Sequence, residues 1–505
     1  MVASMKPHHS SSAYRGYRNA GIRLSEDAWA DRRYSPRNTR RAPISCILQF
    51  DKAHVVMLTE SGVISIENGV EMLREIRDVI STEVELAGWD GGMHWTETKL
   101  IQSLGEDVGG WINLGRSTGD ISEVARRLHT RLLVIDNIAS LNRLRGVLLT
   151  LSISFTETVV PGQTFLQHAQ PTTLAHWICM WEAMLGRDVH RYLELLQRLN
   201  ESPAGAGILS TTDFRIDRSR VSDLLGFDRP IANSMDAIMS HDVALEAVSA
   251  MTISALDLSR IADDLELWMS SEYRYVDFPD RFCATSSIMP QKRNPNLPQQ
   301  IKAQSARALG AMSIAIAAER GATGQPMLER FESDTILWEL LEDLPALMGD
   351  LSTMLPAMRV DSTRMKDSSE RHWSSASDLA SLITAESSLS WRSAHQITGI
   401  VVRICYERGI EPAALTPEIV DEAAHMYGCA PLSLSPSAIE SALDAAAAVS
   451  RRTIIGGPAA GEVSRAIATA GQRLDKDIRA TSAWTGRVVE SEARLSRAVD
   501  RLLGG

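Results

Sequence analysis

Apolar residues recur at three-and-four spacing along most of this chain, and the runs are long. In ENGVEMLREIRDVISTEVE (67–85), Val70, Leu73, Ile76 and Ile80 share one helical face. From Ile121 to Phe155 the chain reads ISEVARRLHTRLLVIDNIASLNRLRGVLLTLSISF, almost without a turn residue. A run of that length exceeds an ordinary globular helix and predicts long rods packed as a bundle. Similar rods are predicted over 235–271, over NLPQQIKAQSARALGAMSIAIAAE after residue 295, and over 333–357. Short polar pieces at 109–120, 159–173, 201–219 and 280–296 separate them and are expected to be irregular. After residue 367 the units shorten, as in SASDLASLITAES, SAHQITGIVVRICYERG, TPEIVDEAAHMYG and SPSAIESALDA. No βαβ alternation and no glycine-rich phosphate loop interrupts the pattern. The prediction is an all-α chain in four parts: a leader (1–45), an N-terminal helical unit (46–115), a central long-helix bundle (116–367) and a small C-terminal helical domain (368–505).

Composition sharpens this picture. Of 505 residues, 44% are hydrophobic, with only 32 glycines and 19 prolines, which favours helix. The net charge of −11 argues against nucleic-acid binding, because phosphate contacts need clustered Lys and Arg. A small anionic substrate is still allowed, since local donors can bind one inside an acidic shell. Cys46, Cys179, Cys283, Cys405 and Cys429 are scattered without a CxxC pair, so they read as free thiols of a cytoplasmic protein. No run of about 18 apolar residues predicts a membrane span. The N-terminus has no apolar core of a secretory signal. Its first 45 residues are polar and basic and read as a partly disordered leader that wraps a neighbour.

The chemistry concentrates in ATSSIMPQKRNPN (284–296). Pro290 and Pro295 keep the stretch from becoming helix. Two hydroxyls (Ser286, Ser287), a compact cation (Lys292) and an amide (Asn294) are gathered there. A serine becomes a base only where positive potential favours its alkoxide, and Lys292 is placed to supply part of it. The bland alternative is a surface loop with chance polar residues.

SSIMPQKRNP closely resembles the signature loop of the aspartase/fumarase superfamily. SLGEDVGGWINLGRSTGD (103–120), PGQTFLQHAQPTTLAHW (161–177), ESPAGAGILSTTDFRIDRSRVSDLLGF (201–227), NSMDAIMSHD (233–242) and WRSAHQITGIVVRICYERGI (391–410) resemble argininosuccinate lyases in particular. The resemblance implies a three-domain, all-helical protomer and a homotetramer around a core of twenty long helices. Each active site would draw one signature segment from each of three subunits. The implied reaction is an anti β-elimination from a succinyl compound that releases fumarate, without metal or organic cofactor. Ser286 would be the base, and Lys292 and Asn294 would hold the carboxylate whose charge builds up. Ser287, Met289 and the loop amides would complete that side. Arg116, Ser117, Thr164 and Gln170 would be further substrate contacts.

The chain also departs from that pattern. Argininosuccinate lyases have Arg-Asn where Thr118-Gly119 stand here. Their Thr-His, whose histidine helps protonate the departing nitrogen, is Thr164-Phe165, and phenylalanine cannot titrate. Their Tyr-Asn-Arg-Asp-Leu-Gln segment is missing, and GATGQPMLERFESD (321–334) offers Gln325, Arg330 and Glu332 for a different substrate end. His168, at helical spacing from Phe165, is a weaker substitute acid than a bystander, and His94 is weaker still. Phe165 hints at a less polar pocket. A guanidine is hard to expel without a proton donor, whereas a substituted amine can leave already protonated. The expected activity is therefore reversible cleavage of an N-substituted aspartate to fumarate and an amine, of the kind ethylenediamine-disuccinate lyase performs. The alternatives are argininosuccinate cleavage, a catalytically silent structural homologue, and a cycloisomerase or aspartate-deaminating lyase.

Overall fold

Ser117 starts one of the long rods of the bundle. Its Oγ accepts from the amides of Gly119 (3.1 Å) and Asp120 (3.4 Å), and the Asp120 carboxylate returns to the Ser117 amide (2.9 Å). This capping box satisfies the first orphan N–H groups and opens a 36-residue helix, Thr118–Ile153. In the computed structural model, which describes residues 42–82, 92–324 and 329–504, four more long helices accompany it. They are Leu174–Leu199, Asp242–Met269, Asn296–Glu319 and Arg330–Met354. The fold is all-α, with only four two-stranded ribbons among the described residues. No helix there is long and apolar enough to cross a membrane. The five cysteines are free. The expected basic leader lies outside the described residues except for 42–45.

One apolar cluster runs through these five helices and also takes in Ile44–Glu60 and Ile66–Arg74. Buried ion pairs cross it. Arg145 donates to Glu182 and Asp477, both at 2.8 Å. Arg126 pairs with Asp334 and with Glu123. A second, separate cluster holds the units between Ala376 and Leu443. The small C-terminal domain expected over 368–505 therefore ends early. Ala460–Leu502 is a single 43-residue helix that returns to pack along Thr118–Ile153 and Leu174–Leu199. Asp477 on Arg145 and Thr481 on Asn142 fix it there.

Two pieces expected to be irregular are hairpins. Residues 159–173 form antiparallel strands Val159–Thr164 and Gln167–Thr173. Phe165 and Leu166 make the two-residue turn with φ of 55° and 58°, the left-handed region that such tight turns demand and that these side chains resist. His168 is thus on a strand, opposite Gln163, and not on a helical face with Phe165. Gly162 is required by close approach, since a Cβ there would lie 2.4 Å from the Gln170 carbonyl oxygen. The second hairpin pairs Cys283–Thr285 with Arg293–Pro295 and carries residues 286–292 at its tip.

Candidate active site

Arg293 anchors the 286–292 loop. Its guanidinium pairs with Asp277 and Asp280, both at 2.9 Å, and donates to the Phe278 carbonyl at 2.5 Å. The return strand is thereby tied to the preceding 276–282 segment. Inside the loop, Ser286 Oγ accepts hydrogen bonds from the amides of Ile288 (3.3 Å) and Met289 (3.1 Å). Two convergent N–H dipoles stabilise negative charge on that oxygen, which is what an alkoxide base needs. Lys292 is exposed, and among the described residues no carboxylate lies within ion-pair distance of it. Ser287 and Met289 are also exposed, whereas Ser286 and Asn294 are half-buried. The sequence pattern gave the loop amides to the substrate; two of them point at Ser286 instead. Only backbone geometry could reveal that.

The first segment is more committed than its residues suggested. The Arg116 guanidinium is buried, donating from Nη2 to Asp51 at 2.6 Å and from Nε to Asn113 at 3.0 Å, and it stacks over the Phe50 ring. Among the described residues, Nη1 has no hydrogen-bond partner. Ser117 is the helix cap and donates to Asp120 at 2.9 Å. Thr118 Oγ1 meets His94 Nε2 at 2.8 Å, so His94 has a structural neighbour in the segment that starts the helix. Gly119 makes room for Ile208, whose Cδ1 would be 2.7 Å from a Cβ. Asp120 accepts from the amides of Gly207 (3.1 Å) and Ile208 (3.2 Å), binding the 201–216 segment to the helix start.

Thr164 and Phe165 sit at the tip of the first hairpin, and Phe165 is 98% exposed. Gln170 donates to Ser377 Oγ at 3.2 Å. His168 faces a polar cleft of about 450 Å3 shared with Tyr273, Asp367 and His372. Its ring lies 4.9 Å from that of His372, edge to face. Burial, and then His372, push its pKa down, which favours the neutral ring. Arg330 serves the fold and not a substrate end. It is buried, donating to the carbonyls of Ile238 (2.9 Å) and Met239 (2.5 Å) beside Glu319. Glu332 is exposed, and Gln325 lies outside the described residues. Among the described residues no group of three or more His, Cys, Asp or Glu is placed to hold a metal.

The three segments do not meet within one chain. Arg116 and Ser117 stand at the start of the Thr118–Ile153 helix, and the Val159–Thr173 hairpin follows its end. At 1.5 Å per residue that helix is about 54 Å long. The 286–294 loop lies toward the hairpin end: the helix it opens, Asn296–Glu319, bonds through Lys302 to Glu266 at 2.8 Å, and the neighbouring Asp264 accepts from Trp177.

A lyase family model matches residues 22–310, and a model of the argininosuccinate lyase C-terminal region matches 373–450. Argininosuccinate lyase of Methanosarcina acetivorans is 34% identical over 86% of this chain and 88% of its own length. That of Methanosarcina barkeri is 35% identical over 82% and 84%. Among solved structures, EDDS lyase in complex with formate superposes with a TM-score of 0.84 at 26% identity, over 91% of this chain and 92% of that one. A variant of EDDS lyase with bound fumarate gives 0.83 at 27%, with the same coverage. The chain belongs to the aspartase/fumarase superfamily, in its argininosuccinate lyase-like branch, and is a carbon–nitrogen lyase of that type.

Proposed function

We propose that the protein catalyses the reversible anti β-elimination of an N-substituted aspartate to fumarate and an amine. The observation that carries this reading is Ser286 Oγ under two backbone N–H donors in an intact signature loop. As alkoxide, Ser286 takes a proton from the methylene carbon beside one carboxylate. The electron pair moves into that carboxylate, giving a dianionic intermediate. It then collapses to the carbon–carbon double bond as the carbon–nitrogen bond breaks and the amine departs. Lys292, with Asn294, supplies positive charge and donors where the dianion forms. Ser287, Met289, Arg116 through its unpartnered Nη1, Ser117, Thr164, Gln170 and Gln325 are proposed as further substrate contacts.

The site is proposed to assemble between subunits of a cytoplasmic homotetramer. Support comes from the roughly 54 Å helix separating two of the segments. It comes also from Asn296–Glu319, which buries Ala308, Ala311, Ala315 and Ala318 on one stripe and leaves Leu309 and Ile316, seven residues apart on another face, exposed. A rod with a second apolar patch suits a helix shared with other copies.

Argininosuccinate cleavage is the second reading, favoured by relatives of that name at 32–35% identity. Against it stand Thr118, Gly119 and Phe165, which remove the side chains that would grip and protonate a guanidine. Fumarate incubated with a panel of alkylamines, diamines and arginine, followed by ultraviolet absorbance in both directions, separates them. The proposal expects fumarate consumption with at least one amine and none with arginine. Turnover with arginine alone supports the second reading, and no turnover with any amine or succinyl adduct contradicts both.

A further inference from the structure

A second cleft, of about 500 Å3, lies between the start of the Leu174–Leu199 helix and the end of Asp242–Met269. Trp177 and Trp181, one turn apart, wall one side together with Met180 and Met184, and Asp264 stands across from them. One oxygen of the Asp264 carboxylate accepts from both indoles, Trp177 Nε1 at 2.8 Å and Trp181 Nε1 at 2.9 Å. These donors orient the carboxylate without neutralising it. Among the described residues no cation comes within ion-pair distance of it. Burial accordingly pushes its pKa up, against the two indole bonds and the more distant Arg260. The neighbouring charges are already engaged: Asp263 with Lys302 at 2.8 Å, and Arg260 with Asp257 at 3.5 Å and the Met184 sulfur at 3.1 Å. The indoles are held by Trp268, whose ring lies 5.3 Å from Trp177 and 5.5 Å from Trp181.

We propose that this cleft binds a small organic ammonium ion with an apolar body. A half-buried carboxylate without a counter-ion is costly, and a bound cation relieves that cost. The half-buried Trp177 indole attracts a cation and the exposed Met180 gives an adaptable apolar wall for an alkyl chain, with Trp181 and Met184 buried behind them. The volume is that of a small-molecule site. An anion such as fumarate finds no unengaged cation there. None of residues 286–294 lines the cleft, but Gly162, Gln163, Thr172, His176 and Trp177 of the 161–177 segment do, so it adjoins the hairpin and is separate only from the signature loop itself. The competing explanation is that Asp264 only ties two tryptophans to a neighbouring helix.

Titration of the full-length protein with n-butylammonium chloride, read by tryptophan fluorescence and calorimetry, tests this, with 1-butanol as the uncharged control. We expect saturable binding that butanol does not reproduce, weakened at least about tenfold by Asp264→Asn. Met180→Lys, which puts a cation at the exposed mouth without disturbing the core, should weaken it at least as much. Ser286→Ala should bind like the wild type. An equal response to butanol, no saturable binding, or Met180→Lys within about twofold of wild type overturns the proposal. So does loss of binding in Ser286→Ala, which would place the cation at the reaction site. If Asp264→Asn does not fold, Met180→Lys decides alone.

Discussion

A serine hydroxyl in water holds its proton far above neutral pH, so Ser286 works as a base only if its alkoxide is stabilised in place. The loop offers the amides of Ile288 and Met289 to its oxygen and a cation at Lys292. The proposed reading divides the labour: the amides serve the base, and Lys292 serves the charge that develops on substrate. Lys292→Ala should lower kcat by about 10²–10³-fold, the usual cost of one preorganised donor to a developing anion. Steady-state fumarate formation checks this, and a fall in kcat below about tenfold would assign the charge stabilisation elsewhere. The residue types at 284–296 were readable because several chemical functions crowd a stretch that prolines keep out of helix. The burial of Arg116 on Asp51 was not readable, because its partner is 65 residues away and only packing brings them together.

Helices were legible where apolar spacing and absent turn residues agreed, as in Thr118–Ile153. The Val159–Thr173 hairpin was not. It has no Asn-Gly or Asp-Gly turn signal, and two bulky residues occupy its left-handed positions. Ala460–Leu502 hides for another reason: it buries only a narrow stripe, and its destination depends on Arg145, more than 300 residues earlier. Buried charge also joins elements at the opposite end of the bundle. His241 touches Glu123 at 3.1 Å through Nε2 and Glu319 at 2.8 Å through Nδ1. Burial and Arg126 push its pKa down, but the two carboxylates outweigh them and raise it above the ordinary 6.5. A raised folded-state pKa means the charged contact stabilises fully below about pH 6.5 and is lost as pH climbs through the folded value. The melting-temperature gap between wild type and His241→Gln should therefore be widest near pH 6 and narrow in alkali. A gap that is constant or grows with pH would show that the ring is neutral in the folded state.

The whole chain carries its signature segments at opposite ends of a rod too long to fold back on itself, and the proposed site therefore draws on other copies. Leu309 and Ile316, exposed on one helical face, offer an apolar patch for the proposed contact. Leu309→Glu should break the assembly into smaller species on size-exclusion chromatography and abolish activity with it, since buried like charges would meet across copies. Full activity from a monomer would refute the shared site. The bundle was legible in outline, because long rods imply one, but which stripes stay exposed emerges once burial along each helix is known.

The most direct test of the central claim compares Ser286→Ala with Ser287→Ala in fumarate–amine turnover, using an amine the wild type accepts. Removing the base should cost about 10²–10⁴-fold in kcat, whereas its exposed neighbour should cost less than about tenfold. The account predicts that order. A Ser286→Ala enzyme that turns over near the wild-type rate, or a Ser287→Ala enzyme that is the inactive one of the two, would contradict it.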